Sequence, residues 1–90
     1  MKKALYKVPN GKLLKIFVEE AGGIITSLRI TGDFFIYPET RIEEAEQAMR
    51  GCAMNAEALT QRLEDFFAKA PAEFFGLDIP SLVHTIISAQ

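Results

Sequence analysis

The stretch KLLKIFVEEAGGIITSLRIT, Lys12 to Thr31, constrains the fold more than any other part of the chain. Successive side chains of a strand point to opposite faces. In its first half, Leu14, Ile16 and Val18 therefore share one face, and Leu13, Lys15, Phe17 and Glu19 share the other. In its second half, Ile24, Leu28 and Ile30 fall on one side and Ser27, Arg29 and Thr31 on the other. Gly22-Gly23 between them supplies the positive φ angles of a tight hairpin turn. The pattern predicts two antiparallel, half-buried strands. Upstream, Ala4 to Val8 reads as a further short strand. It is joined through Pro9-Asn10-Gly11-Lys12, where Pro9 fixes φ and Asn10-Gly11 accepts positive φ. The result is an antiparallel meander of two or three strands.

Directly after it comes RITGDFFIYPE, Arg29 to Glu39. Thr31-Gly32-Asp33 is a turn or bulge signal, with Gly32 permitting the kink and Asp33 bonding the local backbone. Phe34, Phe35, Ile36 and Tyr37 then follow in a row until Pro38 stops them. Four consecutive apolar residues in an extended chain require cover on both faces. The chain has 90 residues, of which 49 % are hydrophobic and seven are Phe. A domain of this size buries only roughly two-thirds of its unfolded surface. Either the core is dense or some apolar surface awaits a partner. One Phe of each pair, Phe34-Phe35 and Phe74-Phe75, is expected in the core and the other nearer the surface.

Beyond Pro38 the period lengthens. Thr40 stands three residues before Glu43, the spacing of a capping box. A helix from about Arg41 to Arg50 presents Ile42, Ala45 and Met49 on one stripe, and Gly51 suits its end. Asn55 is placed to cap a second helix, whose Leu59, Leu63, Phe66, Phe67 and Ala70 form an apolar stripe that Pro71 ends. The segment PAEFFGLDIP reads as a connector. Asp78 or Ile79 precedes the first turn of a last short helix near Pro80. Leu82, Val83, Ile86 and Ile87 give that helix its apolar face. Strands followed by about three helices specify an α+β domain spanning residues 1–90, with the helices packed on one face of the sheet. The other face would carry Leu13, Phe17 and either Phe34 or Phe35.

The residue inventory excludes most chemistries. Formal charge is −2, from 10 basic and 12 acidic residues, without the basic excess of a nucleic-acid binder. The opening MKKALYKVPNGK has no apolar segment behind its lysines and is not a signal peptide. No run approaches the roughly 20 apolar residues of a membrane span. A single cysteine rules out an internal disulfide and fits a reducing cytosol, so a cytoplasmic location is expected. One Cys and one His make no zinc site without several carboxylates. Gly11-Lys12 lacks the earlier glycine and the following hydroxyl of a phosphate loop. Glu39, Glu43, Glu44 and Glu46 suit a solvated helix face near a helix N-terminus better than metal ligands. His84, flanked by apolar residues, reads as a surface or boundary residue. No catalytic, cofactor-binding or metal residue is expected. Cys52, in RGCAMNAE, lies between a helix stop and a helix cap. A thiol beside a helix N-terminus is activated, and GCA resembles a motif of iron–sulfur scaffold and sulfur-acceptor proteins. A free cysteine is more often a small buried hydrophobe.

The residues from Gly11 to Glu39, followed by an acidic helix, a short break and a helix ending in LEDFF, resemble the small C-terminal domain of lipoate–protein ligases. The likeness runs from about Lys7 to the last helix. Its most specific part is Arg29 to Pro38 with the preceding hairpin; the helices are generic. In many such ligases this domain follows a large catalytic domain. A chain that starts with Met1 is similar instead to the separate small subunit of bipartite, archaeal-type ligases. The resemblance implies a heterodimer with a large catalytic subunit. That pair would adenylate lipoate with ATP and pass the lipoyl group to a lysine of lipoyl-domain proteins. The pocket, glycine-rich motif and essential lysine belong to the large part, and none of these motifs occurs here. The small part is associated with adenylation, and ATP and lipoate would bind only in the complex. Cys52 matches no motif of the family, so the resemblance gives it no role.

The residue inventory and the resemblance both point to a protein-binding accessory subunit. The predicted interface is Phe17 together with Thr31, Asp33, Phe34, Phe35 and Tyr37. Two other classes follow from the same residues: a single-cysteine sulfur-acceptor or iron–sulfur assembly protein using Cys52, and a binding module unconnected with lipoylation.

Overall fold

The computed structural model describes residues 2–9 and 11–89. Its order is β1 (Lys2–Lys7), β2 (Leu13–Ala21), β3 (Ile24–Gly32), β4 (Phe35–Tyr37), α1 (Thr40–Ala48), α2 (Ala56–Lys69), β5 (Glu73–Phe75) and α3 (Ile79–Ser88). β1, β2 and β3 form an antiparallel meander in chain order, and β4 and β5 pair as a separate two-stranded ribbon. This is the expected α+β architecture with three strands in the main sheet. Asn10 of the first turn lies outside the described residues.

The β2–β3 turn is built as its sequence demands: Gly22 and Gly23 adopt φ of +59° and +79°, where a side chain would be strained. Leu14, Ile16 and Val18 are fully buried on the inner face, and Leu28 and Ile30 join them from β3. At the start of β3 the alternation breaks. Glu19 pairs with Ser27 but Glu20 pairs with Ile25, so Thr26 is an extra residue in β3. This bulge reverses the faces on either side of it. Ile25 is consequently buried, and Ile24, expected inside, is 39 % exposed.

α3 crosses the inner face over β1 and β2, α1 packs against β3, and α2 backs both helices. Met49, Cys52, Leu59, Leu63, Leu82 and Ile86 complete the core. The accessible surface is 5230 Å², what a compact monomer of 10.0 kDa exposes by the usual scaling of about 5200 Å². Leu5, Leu13, Ile24, Phe35, Tyr37, Phe75 and Ile87 are the large hydrophobic residues left exposed among the described residues.

The helix ends follow their caps, with one exception. The Asn55 side chain accepts from the Ala58 N–H at 2.8 Å and the Asp78 side chain from the Ser81 N–H at 2.7 Å. The Thr40–Glu43 capping box does not form. The turn begins one residue earlier, with the Arg41 and Ile42 N–H groups donating to the Pro38 and Glu39 carbonyls. Glu39 is already helical and the N-cap makes no side-chain bond. Glu46 also departs from a solvated role: its carboxylate accepts the Ile30 N–H at 2.6 Å. A helix side chain thereby satisfies the outer edge of β3, where an unpaired donor would otherwise invite strand addition. Next to it, Ile25 exchanges backbone bonds with Gly51 and Cys52. Ile87, assigned to the apolar face of α3, is 43 % exposed.

The expected connector after Pro71 contains β5, which pairs Phe35 with Phe75, Ile36 with Phe74 and Tyr37 with Glu73. Gly32 makes the corner from β3 into this ribbon, at φ +148°. A Cβ there would stand 2.2 Å from the Leu13 carbonyl oxygen, so only glycine fits.

Candidate docking surfaces

The six residues predicted to form one surface do not share one: Phe17 and Thr31 lie on one face, Phe35 and Tyr37 on another, Asp33 between them, and Phe34 turns to the core. Thr31 and Phe17 lie on the outer face of the main sheet. Phe17 stands between Lys3 of β1 and Arg29 of β3, half-buried, with the Lys15 ammonium 5.2 Å from its ring centroid. Such a contact holds a cation over an aromatic face and shields the ring from water on one side. Thr31 donates its hydroxyl to the Lys15 carbonyl at 3.1 Å and so braces β3 against β2. Leu5 and Leu13, on the same outer face, are 57 % and 42 % exposed.

Phe35 and Tyr37 occupy the outer face of the β4–β5 ribbon. They are 47 % and 61 % exposed, and Phe75 beside them is 50 % exposed. The Phe35 and Phe75 rings meet at 5.8 Å between centroids. Beneath, Ile36 is buried. Phe74 turns the same way, its ring edge-on to Phe67 of α2 at 4.9 Å. The alternation in Phe34 to Tyr37 is thus real. Phe34 packs against the core and does not join the surface. One side of this run is core and the other is open. Phe75, absent from the prediction, was hidden by the non-local β4–β5 pairing; its doubled phenylalanine was the available signal.

Asp33 marks the junction between the two surfaces. Its backbone N–H, rather than its carboxylate, makes the local bond, donating to the Leu13 carbonyl at 2.9 Å. The carboxylate is exposed at the rim.

Among the described residues, Cys52 and His84 stand apart from one another and from any cluster of carboxylates. Cys52 is 2 % exposed, its thiol donating to the Ala53 carbonyl at 3.5 Å. It lies within the α1–α2 connection and its side chain is part of the core. His84 is exposed and lies against Tyr6, ring centroids 4.7 Å apart. Among the described residues no three His, Cys, Asp or Glu side chains are grouped as metal ligands. A shallow groove between α2 and α3 is lined by Ala56, Thr60, Pro80, Val83, His84 and Ile87. It has an apolar floor and lacks converging polar groups of the kind that orient a small substrate.

Residues 7–86 match the family model for the C-terminus of bacterial lipoate protein ligases. No curated protein matches the chain significantly. Among solved structures, the chain is similar to one from an archaeal lipoylation system of Thermoplasma acidophilum, described as a bi-partite lipoate protein ligase and its E2 lipoyl domain. Identity is 23 %, the TM-score is 0.82, and the match covers 96 % of this chain and 94 % of that one. At that identity the likeness establishes the fold.

Proposed function

The chain belongs to the family of bacterial lipoate protein ligase C-terminal domains, and on that premise we propose that it is the small accessory subunit of a bipartite lipoate–protein ligase. Its partner is a large catalytic subunit that binds ATP and lipoate. The small chain is required for forming lipoyl-AMP, before lipoyl is transferred to a lysine of a lipoyl-domain protein in the cytoplasm. The supporting observation is the pairing of two open apolar surfaces with the lack of any grouped catalytic side chains among the described residues. The overlay on nearly all of a chain from a bi-partite lipoate protein ligase system also supports this reading.

The physical contribution of such a subunit is closure. Covering the mouth of a pocket removes water, strengthens electrostatic interactions inside and holds ATP and lipoate in a reactive arrangement. A rigid sheet with an aromatic rim suits this, because its side chains lose little conformational entropy on docking. The sulfur-acceptor alternative is disfavoured by Cys52: a persulfide carrier exposes its thiolate, and this thiol is enclosed.

Pyrophosphate release from lipoate and ATP tests the proposal. The small chain alone is inactive, and the mixture with the large subunit releases pyrophosphate well above the large subunit alone. Robust release by the small chain alone, or none gained on mixing, would refute it.

A further inference from the structure

The outer face of the main sheet is apolar at its centre and positively charged around it. β1 contributes Lys3 and Lys7, β2 contributes Lys15 and β3 contributes Arg29, in rows that frame Phe17, Leu5 and Leu13. Glu19 is the one carboxylate that the strand register places on this face, and Asp33 stands at its rim. Four cations and one carboxylate give the face a charge of +3 on a chain whose net charge is −2, leaving −5 elsewhere. The described ion pairs, Lys2 with Glu20 and Arg41 with Glu44, involve none of these four cations.

We propose that this face is the electrostatic half of the interface with the large ligase subunit, and that the large subunit meets it with an acidic surface around an apolar contact. This rests on the reading of the chain as a ligase subunit. Cations clustered without internal partners in an otherwise acidic molecule create a directional field. Such a field steers an oppositely charged protein into register before close contact is made. The centre of the face favours a protein over a nucleic acid as occupant. Leu5 and Leu13 are aliphatic, and Phe17 is half-buried with a lysine already over its ring. Single-stranded nucleic acid is held by free aromatic faces on which bases stack. The −5 on the rest of the molecule would also repel a polyanion at long range. The aromatic surface at Phe35 and Tyr37 then supplies the uncharged half of the same interface, with Asp33 between the halves.

Association rates with the large subunit decide it, measured by stopped flow at about 0.05 M and about 0.5 M salt, where screening differs severalfold. The variants are Lys3→Glu/Lys7→Glu, on exposed positions, and Lys15→Glu/Arg29→Glu. Circular dichroism confirms that each remains folded, and the exposed pair keeps the test valid should the second pair destabilise the sheet. The expected result is a wild-type rate that falls with salt. Each reversal should lower the low-salt rate at least tenfold, and the difference should largely close at high salt. Folded variants that associate at the wild-type rate, or a wild-type rate indifferent to salt, would overturn the proposal while leaving the subunit reading intact. No association of the wild-type pair at either salt would sink both. Tight, reversal-sensitive binding to a single-stranded oligonucleotide, with unchanged association to the large subunit, would assign the face to nucleic acid and overturn the proposal.

Discussion

On the inner face of β2, Leu14, Ile16 and Val18 are wholly covered; on the outer face of the same strand Leu13 is 42 % exposed and Phe17 is half-buried beneath a lysine. The backbone, strand pairing and local sequence are shared. What differs is that three helices close the inner side, while the outer side ends in side chains. That asymmetry shows where function lies in a small domain. A covered apolar residue is explained by folding alone, whereas an open one is explained only by a second molecule or left unexplained. By that criterion the outer sheet face and the outer ribbon face carry the account, and Cys52, buried like Ile16, does not.

Substitutions that separate stability from association test this contrast. Ile16→Ala should be the most damaging, costing about 3 kcal/mol through lost burial and a cavity. Thermal unfolding would show a melting temperature lower by on the order of 15 °C. Removing the Glu46 carboxylate leaves the Ile30 N–H without its partner. Glu46→Ala should cost about 2 kcal/mol in denaturant titrations, while the isosteric Glu46→Gln, whose carbonyl still accepts, should cost clearly less. Cys52→Ala should cost about 1 kcal/mol as a small core truncation, with pyrophosphate release by the assembled pair unchanged. Loss of that activity in a folded Cys52→Ala protein would place Cys52 in the chemistry after all. Phe17→Ala, next to Ile16 but facing outward, should have the smallest effect on folding, within about 1 kcal/mol. If it unfolds the domain as Ile16→Ala does, the two faces are not distinct in kind.

Alternation over Leu13 to Glu19 was enough to assign both faces of β2, because a period of two leaves no freedom once one face is apolar. The caps at Asn55 and Asp78 were equally readable, each a short side chain before an apolar helical stripe. The misses have physical causes that no local pattern encodes. The extra residue Thr26 in β3 exchanges Ile24 for Ile25, and a bulge leaves no mark in a run of β-branched residues. β5 is three residues long and exists only by pairing with β4, far away in sequence. The capping box at Thr40 failed because the turn after Pro38 starts the helix one residue early. Glu46 looked like part of a solvated acidic face, since its partner is a backbone group of a strand. The same non-local pairing concealed half of the candidate site. Phe17, Phe35 and Tyr37 could be named from sequence, but Phe75 and the separation into two surfaces required the β4–β5 ribbon.

Calorimetric titration of the small chain into the large subunit reads docking itself, with Phe34→Ala and the Phe35→Ala/Tyr37→Ala pair beside the wild type. The wild type should bind one to one. Phe34→Ala, whose ring packs against the core, should lower the melting temperature but bind normally where it is folded. Phe35→Ala/Tyr37→Ala should keep the wild-type melting temperature within a few degrees and weaken binding by about thirtyfold or more, the loss of ~2 kcal/mol typical of a truncated aromatic anchor. A folded Phe35→Ala/Tyr37→Ala variant that binds like the wild type, or a wild type that does not bind, would contradict the account.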